Sequence, residues 1–161
     1  MRLCGQQAVW NYEEENGLLT IQGVGAMEDY TEPEQVPWNS LMQEIKVVVI
    51  RDGITTVGDY AFAGCSNLQE VTLPGSVDIV GVFSFKGCTG LREIVIPEGV
   101  RVLASKAFQF CSALKKVYLP STLIDVDMRA FGKCESLEEV FYQGSEEQWE
   151  QIMISRSASD N

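Results

Sequence analysis

The chain has 161 residues, of which 45% are apolar and 22% charged, so it is long enough for one folded domain and too apolar for wholesale disorder. Its formal net charge of −11, without a basic stripe, makes it a poor candidate for nucleic-acid binding. It contains no histidine, which excludes Ser-His and Cys-His nucleophile pairs, histidine general bases and His-containing zinc motifs.

Residues 1–44 form the predicted N-terminal cap, which is strongly acidic, because eight carboxylates against one arginine give a net charge of −7. Alternating apolar side chains on both sides of an Asn-Gly turn signal predict a β-hairpin over residues 8–23. Residues 24–37 are acidic and contain two prolines, so we expect a loop there. Residues 38–44 have the apolar spacing of a short helix.

A period of 23 residues organises the middle of the chain. Four cysteines recur at this spacing, and a phenylalanine precedes each of them by three residues; the cysteines are Cys65, Cys88, Cys111 and Cys134, and the phenylalanines are Phe62, Phe85, Phe108 and Phe131. A fixed period carried by large apolar residues indicates that the chain winds as a stack of near-identical turns. Acidic caps would keep the two ends of such a stack soluble.

Four complete units cover residues 45–136, and a fifth begins at Leu137 and is incomplete. Each unit opens with a β-branched segment such as residues 70–73, and a second short extended segment, such as residues 77–80, follows. A compact helical turn, such as residues 83–88, would then aim its phenylalanine and cysteine inward. Because successive turns run in the same direction, the strands must stack in parallel, roughly 4.8 Å apart.

Residues 137–161 complete the single domain as a partial fifth repeat and a C-terminal cap, with six acids against one arginine for a net charge of −5. Ser145 and Gln148 have the spacing of a capping box, which predicts a short helix. Three apolar side chains on its inner side would cover the open end of the fifth unit: Trp149, Ile152 and Met153.

The repeat, read as Leu-x-x-Val-x-Leu, a turn and then Ala-Phe-x-x-Cys, resembles the leucine-rich repeats of the BspA-like (Treponema-type) family. Segments 4–38 and 144–149 are similar to the regions that flank those repeats. The resemblance implies a right-handed leucine-rich repeat solenoid, of the α/β class but mainly β, with a hairpin cap and a helical cap. It also implies a non-enzymatic bacterial module that is displayed on the cell surface and takes part in adhesion.

The five cysteines and the paired carboxylates are the candidates for chemistry. No Cys-x₂₋₄-Cys pair is present, as a metal site would need. The recurrence of four cysteines at one position of the repeat indicates that they are small buried core residues rather than a metal or redox site. Disulfides between successive turns are within reach by distance, but equivalent side chains point the same way. The paired carboxylates fall in the predicted caps, where no catalytic cleft is expected. We therefore expect no enzyme, no metal and no cofactor.

The outward face of the strands is the predicted binding surface. Its apolar column is Val49, Thr72, Val95, Tyr118 and Phe141, with Arg92 and Lys116 beside Tyr118. Two interpretations remain open. Stacked β-branched and aromatic side chains favour a sheet whether or not they bind anything. Solenoids also present extended repeated faces, and Tyr and Phe are enriched at interfaces. On the opposite side, Phe83 and Phe110 are a weaker second candidate.

The sequence favours an interaction module that binds a protein or peptide on this face; a structural spacer within a larger surface protein is the alternative. No apolar run suits a membrane span, and the first ten residues lack a signal-peptide pattern, which predicts either a cytoplasmic protein or a trimmed domain. The family resemblance instead implies a secreted or cell-surface location. An open strand edge at Val140–Tyr142 would also allow a weak homodimer through the C-terminal edge.

Overall fold

Short β-strands dominate the structure. The computed structural model describes residues 2–155. In chain order the strands are β1 (Ala8–Glu13), β2 (Leu18–Gly23), β3 (Gly25–Ala26), β4 (Val47–Ile50), β5 (Ile54–Val57), β6 (Glu70–Thr72), β7 (Ile79–Val80), β8 (Glu93–Val95), β9 (Val102–Leu103), β10 (Lys116–Leu119), β11 (Asp125–Asp127), β12 (Glu139–Tyr142) and β13 (Met153–Ser155). Two 3₁₀ turns, Pro33–Gln35 and Asn39–Leu41, and one α-helix, α1 (Glu146–Glu150), are the helical elements of the described chain.

The first extended segment of each unit contributes to what we call the front sheet. β2, β4 and β6 pair in parallel, as do β8, β10 and β12, while β1 pairs antiparallel with β2 to form a hairpin. β6 and β8 are not paired, so the front sheet consists of two hydrogen-bonded parts. The pairing preserves the period of the sequence, because Val48 lies opposite Val71, and Ile94 lies opposite Val117. The parallel solenoid that the repeat predicted is therefore confirmed.

The second extended segments form a separate sheet on another side of each turn. Its order is β3–β5–β7–β9–β11–β13, and each neighbouring pair is parallel. β13 follows α1 and pairs with β11, so the chain returns to the solenoid after the helix. The helix predicted over residues 38–44 is only a 3₁₀ turn, Asn39–Leu41.

Stacked aromatic rings fill the centre of the solenoid. In order along the axis the rings are Trp38, Phe62, Phe85, Phe108 and Phe131, with centroids 5.5, 5.1, 5.2 and 5.3 Å apart. Trp38 is fully buried, meets Trp10 edge-on, and donates its indole N–H to the carbonyl of Ala61 over 2.8 Å. Trp38 thus takes the position of a further phenylalanine at the N-terminal end of the column.

The repeated cysteines are structural. Each of three thiols donates to the carbonyl oxygen of a phenylalanine in the preceding turn: Cys88 to Phe62 at 3.3 Å, Cys111 to Phe85 at 3.2 Å and Cys134 to Phe108 at 3.2 Å. All five cysteines are free thiols. Burial raises the pKa of Cys65 to about 12 and also raises that of Cys88, so these sulfurs are poor nucleophiles at neutral pH.

The compact segments form a third stacked layer, which we call the turn ladder. Alternate backbone N–H groups of one segment donate to carbonyls of the next, as from Tyr60 to Val82 at 2.9 Å and from Phe62 to Ser84 at 2.7 Å. Several non-glycine residues adopt a left-handed conformation there, with φ between 56° and 62°: Tyr60, Phe83, Lys106, Phe110 and Lys133. Because such residues interrupt each segment, it is a series of turns rather than a regular helix. The ladder bonds and ring packing offset a conformational strain of roughly 1–3 kcal/mol per residue.

The N-terminal loop supplies the first rung of this ladder. The carboxylate of Asp29 accepts the N–H of Asp59 at 2.9 Å, just as the carboxylate of Asp59 accepts the N–H of Val82 at 2.7 Å. The N–H of Tyr30 donates to the carbonyl of Asp59 at 3.1 Å. Asp29 and Tyr30 are therefore the structural counterparts of Asp59 and Tyr60, although they lie outside the regular period.

We expect Asp59→Asn to stabilise the protein at neutral pH. Burial raises the pKa of the Asp59 carboxyl, the hydrogen bond from Val82 offsets part of that rise, and the nearby Asp29 carboxylate adds a smaller rise. A raised folded-state pKa means that stability is lost as pH rises from about 4 through that pKa. The asparagine oxygen can still accept the N–H of Val82, so only the unfavourable charge is removed. Urea denaturation between about pH 3 and pH 7 should show a stability gain that shrinks toward acid.

The same substitution at the exposed Asp52, outside the ladder, is the matched control for this experiment. The difference in the free energy of unfolding between the Asp52→Asn variant and the parent should change little over that pH range. An Asp59→Asn variant that is less stable than the parent at pH 7 would contradict the expectation, because the carboxylate would then be stabilising in the folded protein.

The C-terminal end of the solenoid is less covered than the sequence predicted. Val140, which aligns with the fully buried Val117 of the preceding turn, is 50% exposed, and Trp149 is 41% exposed although its ring lies 5.1 Å from that of Tyr142. The capping box is formed, with the Ser145 hydroxyl accepting the N–H of Gln148 at 3.1 Å. α1 has only five residues, so it covers part of the last turn only. The side chain of Met153 lies outside the described part of the structure.

Candidate functional site

The outward side of the front sheet, which we call the strand face, carries a column of mainly apolar side chains. Its members are Val49, Thr72, Val95, Tyr118 and Phe141, placed side by side by the parallel register of β4 with β6 and of β8, β10 and β12. Alternation in the strands puts these side chains outward, while their neighbours Val48 and Val117 are fully buried.

Exposure varies along the column, and Tyr118 is half-buried. Val49 is half-buried, Val95 is 49% exposed and Phe141 is 41% exposed. The rings of Tyr118 and Phe141 stack with centroids 4.9 Å apart and an angle of 16° between their planes. The two rings and Val95 therefore form one accessible apolar surface on three adjacent strands.

The column beside it is mainly acidic. Val47, Glu70, Glu93, Lys116 and Glu139 occupy the equivalent position in successive strands. The ammonium group of Lys116 lies 3.5 Å from the carboxylate of Glu139, and both side chains are partly exposed. Lys116 is thus paired within the sheet rather than presented alone beside Tyr118, and such a pair contributes little to stability.

Arg92 lies at the border of the strand face. It immediately precedes β8 and lines a groove of about 430 Å³ together with Asn67, Gln69 and Thr89. The structure therefore assigns Arg92 to a polar groove between the strands and the turn ladder. A partner that crosses the strand face would meet the aromatic pair in the sheet and Arg92 at its rim.

A comparison with protein families identifies the repeats. The model of the BspA type leucine rich repeat region, described with six copies, matches residues 40–159, which is well over half of the 161-residue chain. The chain belongs to the BspA-type leucine-rich repeat family. The resemblance noted in the sequence is therefore confirmed, and the repeated phenylalanines and cysteines all lie within the matched range.

Solved structures of leucine-rich repeat proteins share the fold of this BspA-type chain. A leucine-rich cell surface protein from Faecalibacterium prausnitzii matches 94% of the chain with a TM-score of 0.76 and 22% identity. A leucine-rich repeat protein from Eubacterium ventriosum matches 88% with a TM-score of 0.66 and 23% identity. The Treponema pallidum leucine-rich repeat protein matches 89% with a TM-score of 0.57 and 16% identity, and the match covers 84% of that protein.

The first two of these structures are much longer than the matched region. The chain covers 42% of the Faecalibacterium protein and 43% of the Eubacterium protein. A search among curated proteins found no match. At these identities the structural likeness establishes the fold of the BspA-type chain, and its activity must be argued from its own surface.

The turn ladder carries a second cluster that the sequence only partly predicted. Phe110 is 46% exposed, as expected, whereas Phe83 is half-buried because two lysine side chains lie over it. The lysines could not be predicted from the repeat, because Lys86 and Lys106 occupy different positions of the 23-residue unit. Among residues 2–155 no group of three His, Cys, Asp or Glu side chains could hold a metal ion. Nor is any helix there long and apolar enough to cross a membrane.

Proposed function

We propose that this chain is a non-enzymatic module that binds a protein or peptide partner on its strand face. The stacked Tyr118–Phe141 pair, continuous with the exposed Val95, is the observation that supports this proposal. Aromatic side chains contribute large contact areas at interfaces, and solenoids present extended repeated faces to their partners. The acidic column beside it, with Glu93 and Glu139, favours a partner that combines apolar and basic residues.

The similar structures also support a location for this activity. The Faecalibacterium protein is named as a leucine-rich cell surface protein. We infer by analogy that this chain also acts at a cell surface, where binding a protein of a neighbouring cell or host would amount to adhesion. The proposal involves no covalent step, since the thiols of Cys65, Cys88 and Cys111 are buried.

Changing both Tyr118 and Phe141 to serine should remove binding and leave the fold intact. A library of random peptides panned against the immobilised chain supplies the ligands, and their affinities are measured by fluorescence polarisation. We expect the double variant to bind the enriched peptides about tenfold or more weakly, because aromatic anchors dominate interface energies. Its free energy of unfolding should fall by about 1 kcal/mol or less, the usual contribution of a cross-strand pair.

A matched control removes two apolar side chains elsewhere on the surface. Leu3 and Ile124 are 50% and 48% exposed, and neither belongs to the strand face. The Leu3→Ser, Ile124→Ser variant should bind the peptides as the parent does. An equal loss of peptide affinity in both variants would contradict the strand-face proposal. Panning that yields no peptide would favour the alternative function of a structural spacer.

A weak homodimer through the C-terminal edge remains a second prediction for the same sheet. Within the described residues, β12 pairs only with β10, so its other edge is open. Val140 in this strand is half exposed, which adds an apolar contact to the free backbone groups.

A further inference from the structure

One hydrogen-bonded ladder is missing from the front sheet, between β6 and β8. β4 pairs with β6, and β8 pairs with β10, but β6 and β8 exchange no ladder bonds. The same two turns stay bonded elsewhere, since β7 pairs with β9 and the N–H of Phe85 donates to the carbonyl of Ala107 at 2.8 Å. The two turns therefore lose their bonds at the strand face alone, and we call this opening the slit.

The burial of one core position changes at the slit. Val71 in β6 is half-buried, whereas its equivalents in the other three complete turns, Val48, Ile94 and Val117, are buried. The neighbouring Thr72 is exposed. The slit therefore uncovers part of a side chain that every other complete turn keeps inside.

Backbone groups at one end of the slit lack the partners that their equivalents have in the next turn. There, the carbonyl of Arg92 accepts the N–H groups of Lys115 and Lys116 at 2.8 and 3.3 Å. Within residues 2–155 no such bonds join the carbonyl of Gln69 to the N–H groups of Arg92 and Glu93. Two donors and one acceptor are therefore available at this end of the slit.

The polar groove of about 430 Å³ lies at the same end. Gln69 and Arg92, on the two sides of the missing bonds, both line it, and Thr89 contributes a hydroxyl. Arg92 is exposed and forms no ion pair in the described part of the chain. Lys115, at the equivalent position of the next turn, is likewise exposed and unpaired there. These donors and charges favour an anionic ligand.

We propose that this groove binds the C-terminal residue of the peptide partner. The proposal rests on peptide binding by the strand face and adds an orientation and an end group to it. The terminal carboxylate would pair with the Arg92 guanidinium and accept the N–H groups of Arg92 and Glu93. The last N–H of the peptide would donate to the carbonyl of Gln69. Capture of a chain terminus by backbone groups is a recurring mode of peptide recognition.

A peptide terminus fits the groove better than an acidic side chain does. The carboxylate of an Asp or Glu side chain only accepts hydrogen bonds. It would satisfy the donors at Arg92 and Glu93 but leave the carbonyl of Gln69 without a donor, which costs affinity once water is excluded. The last residue of a peptide carries both a carboxylate and a backbone N–H, so it satisfies both sides of the slit.

The residues of β8 define what else the peptide carries. Glu93 follows Arg92 directly, and Val95 lies three residues beyond Arg92, a distance of roughly 10 Å along a strand. A peptide that ends at Arg92 and crosses the strand face therefore runs antiparallel to β8. It would place a basic side chain near Glu93. About three residues before its C-terminus, an apolar side chain would lie against Val95 and the neighbouring Tyr118.

Amidation of the peptide terminus tests the proposal on the 161-residue chain. A random library displayed with free C-termini supplies the peptides, which are then synthesised with a carboxylate or a carboxamide end and measured by fluorescence polarisation. The carboxamide form should bind the parent about tenfold more weakly, because the charged hydrogen bonds are lost. Arg92→Gln should bind the two forms about equally, and Arg92→Lys should retain part of the preference for the carboxylate.

Hydrogen exchange measured by NMR tests the backbone part of the site. In the free protein the N–H groups of Arg92 and Glu93 should exchange faster than those of Lys115 and Lys116, which are bonded to the Arg92 carbonyl. Saturation with a carboxylate peptide should slow the exchange of the first two. Exchange at Arg92 and Glu93 that stays fast in the saturated complex would overturn the proposal.

Arg51→Gln is the matched control, because Arg51 is an exposed arginine that does not line the groove. This variant should keep the parent's preference for the carboxylate, and circular dichroism should show that every variant is folded. Equal affinity of the parent for the two peptide forms would overturn the proposal. So would a preference that follows an Asp or Glu within the peptide instead of its end, since the groove would then bind an acidic side chain.

The variant with Tyr118 and Phe141 changed to serine separates this proposal from strand-face binding. It should bind both peptide forms more weakly but keep the ratio between them. A parent that is indifferent to amidation, with binding that still depends on Tyr118 and Phe141, would overturn the C-terminal site alone. Binding that depends on amidation and Arg92 but not on the two rings would support the groove and overturn the strand-face contact. A library that yields no peptide would overturn both.

Discussion

Replacing Phe85 with alanine is expected to lower the free energy of unfolding by about 3–5 kcal/mol. The Phe85 ring is fully buried, and it lies 5.1 Å from Phe62 and 5.2 Å from Phe108. Its removal leaves a cavity between turns whose backbones are held by the turn ladder and by the sheet of the second extended segments, so the gap cannot close easily. Urea denaturation followed by circular dichroism measures the change in the free energy of unfolding. A weaker dependence of that free energy on urea concentration would show that the turns on the two sides of Phe85 unfold separately.

Phe131→Ala is the matched control for this experiment. Phe131 ends the column, is only half-buried and has a stacked neighbour on one side, Phe108. The same truncation there should destabilise the protein clearly less than Phe85→Ala does. An equal decrease in the free energy of unfolding at the two positions would mean that ring stacking between turns contributes little beyond the apolar area that each ring buries within its own turn.

Replacing Trp38 with alanine should destabilise the N-terminal end by a similar amount, about 3–5 kcal/mol. Trp38 is fully buried between Trp10 and Phe62, and its loss also leaves the carbonyl of Ala61 without its hydrogen bond. Hydrogen exchange resolved by residue should show loss of protection first in β1, β2 and β4. Protection in β8 and β10 should fall less, because each turn contacts only its neighbours.

Trp149→Ala provides the comparison at the other end. The Trp149 side chain is 41% exposed and touches Tyr142, so its truncation should change the free energy of unfolding by no more than about 1 kcal/mol. A uniform loss of protection along the chain in the Trp38 variant would contradict the local effect expected here. It would mean that the solenoid unfolds as a single cooperative unit.

The regular part of the fold could be predicted because it depends on one period. Phe85 and Cys88 recur at the same position in each unit, and that recurrence fixes the parallel register and the inward column. The outward column could be predicted by the same reasoning, since residues two apart in a strand share a face. The pairing of Lys116 with Glu139 also follows from this register, although it became evident only from the structure.

The irregular parts could not be predicted, because they break the period or carry no local signal. Trp38 precedes Phe62 by 24 residues and Tyr30 precedes Tyr60 by 30, so neither aligns with the repeat that it continues in space. Tyr60 and Phe83 adopt positive φ, a conformation that a sequence normally reveals only where the residue is glycine. The ladder of hydrogen bonds between turns holds them there, and that is a tertiary effect. The convergence of lysines on Phe83 is likewise a property of the stacked turns.

The hydrogen bonds of the turn ladder and of both sheets join each turn only to the next, and this has a mechanical consequence. A tensile load on the two ends would peel turns away one after another rather than break all of them together. Each 23-residue turn that is released would lengthen the tether by about 75 Å. The solenoid would thus yield to a pull in discrete steps, and every step would absorb work while the remaining turns stayed folded.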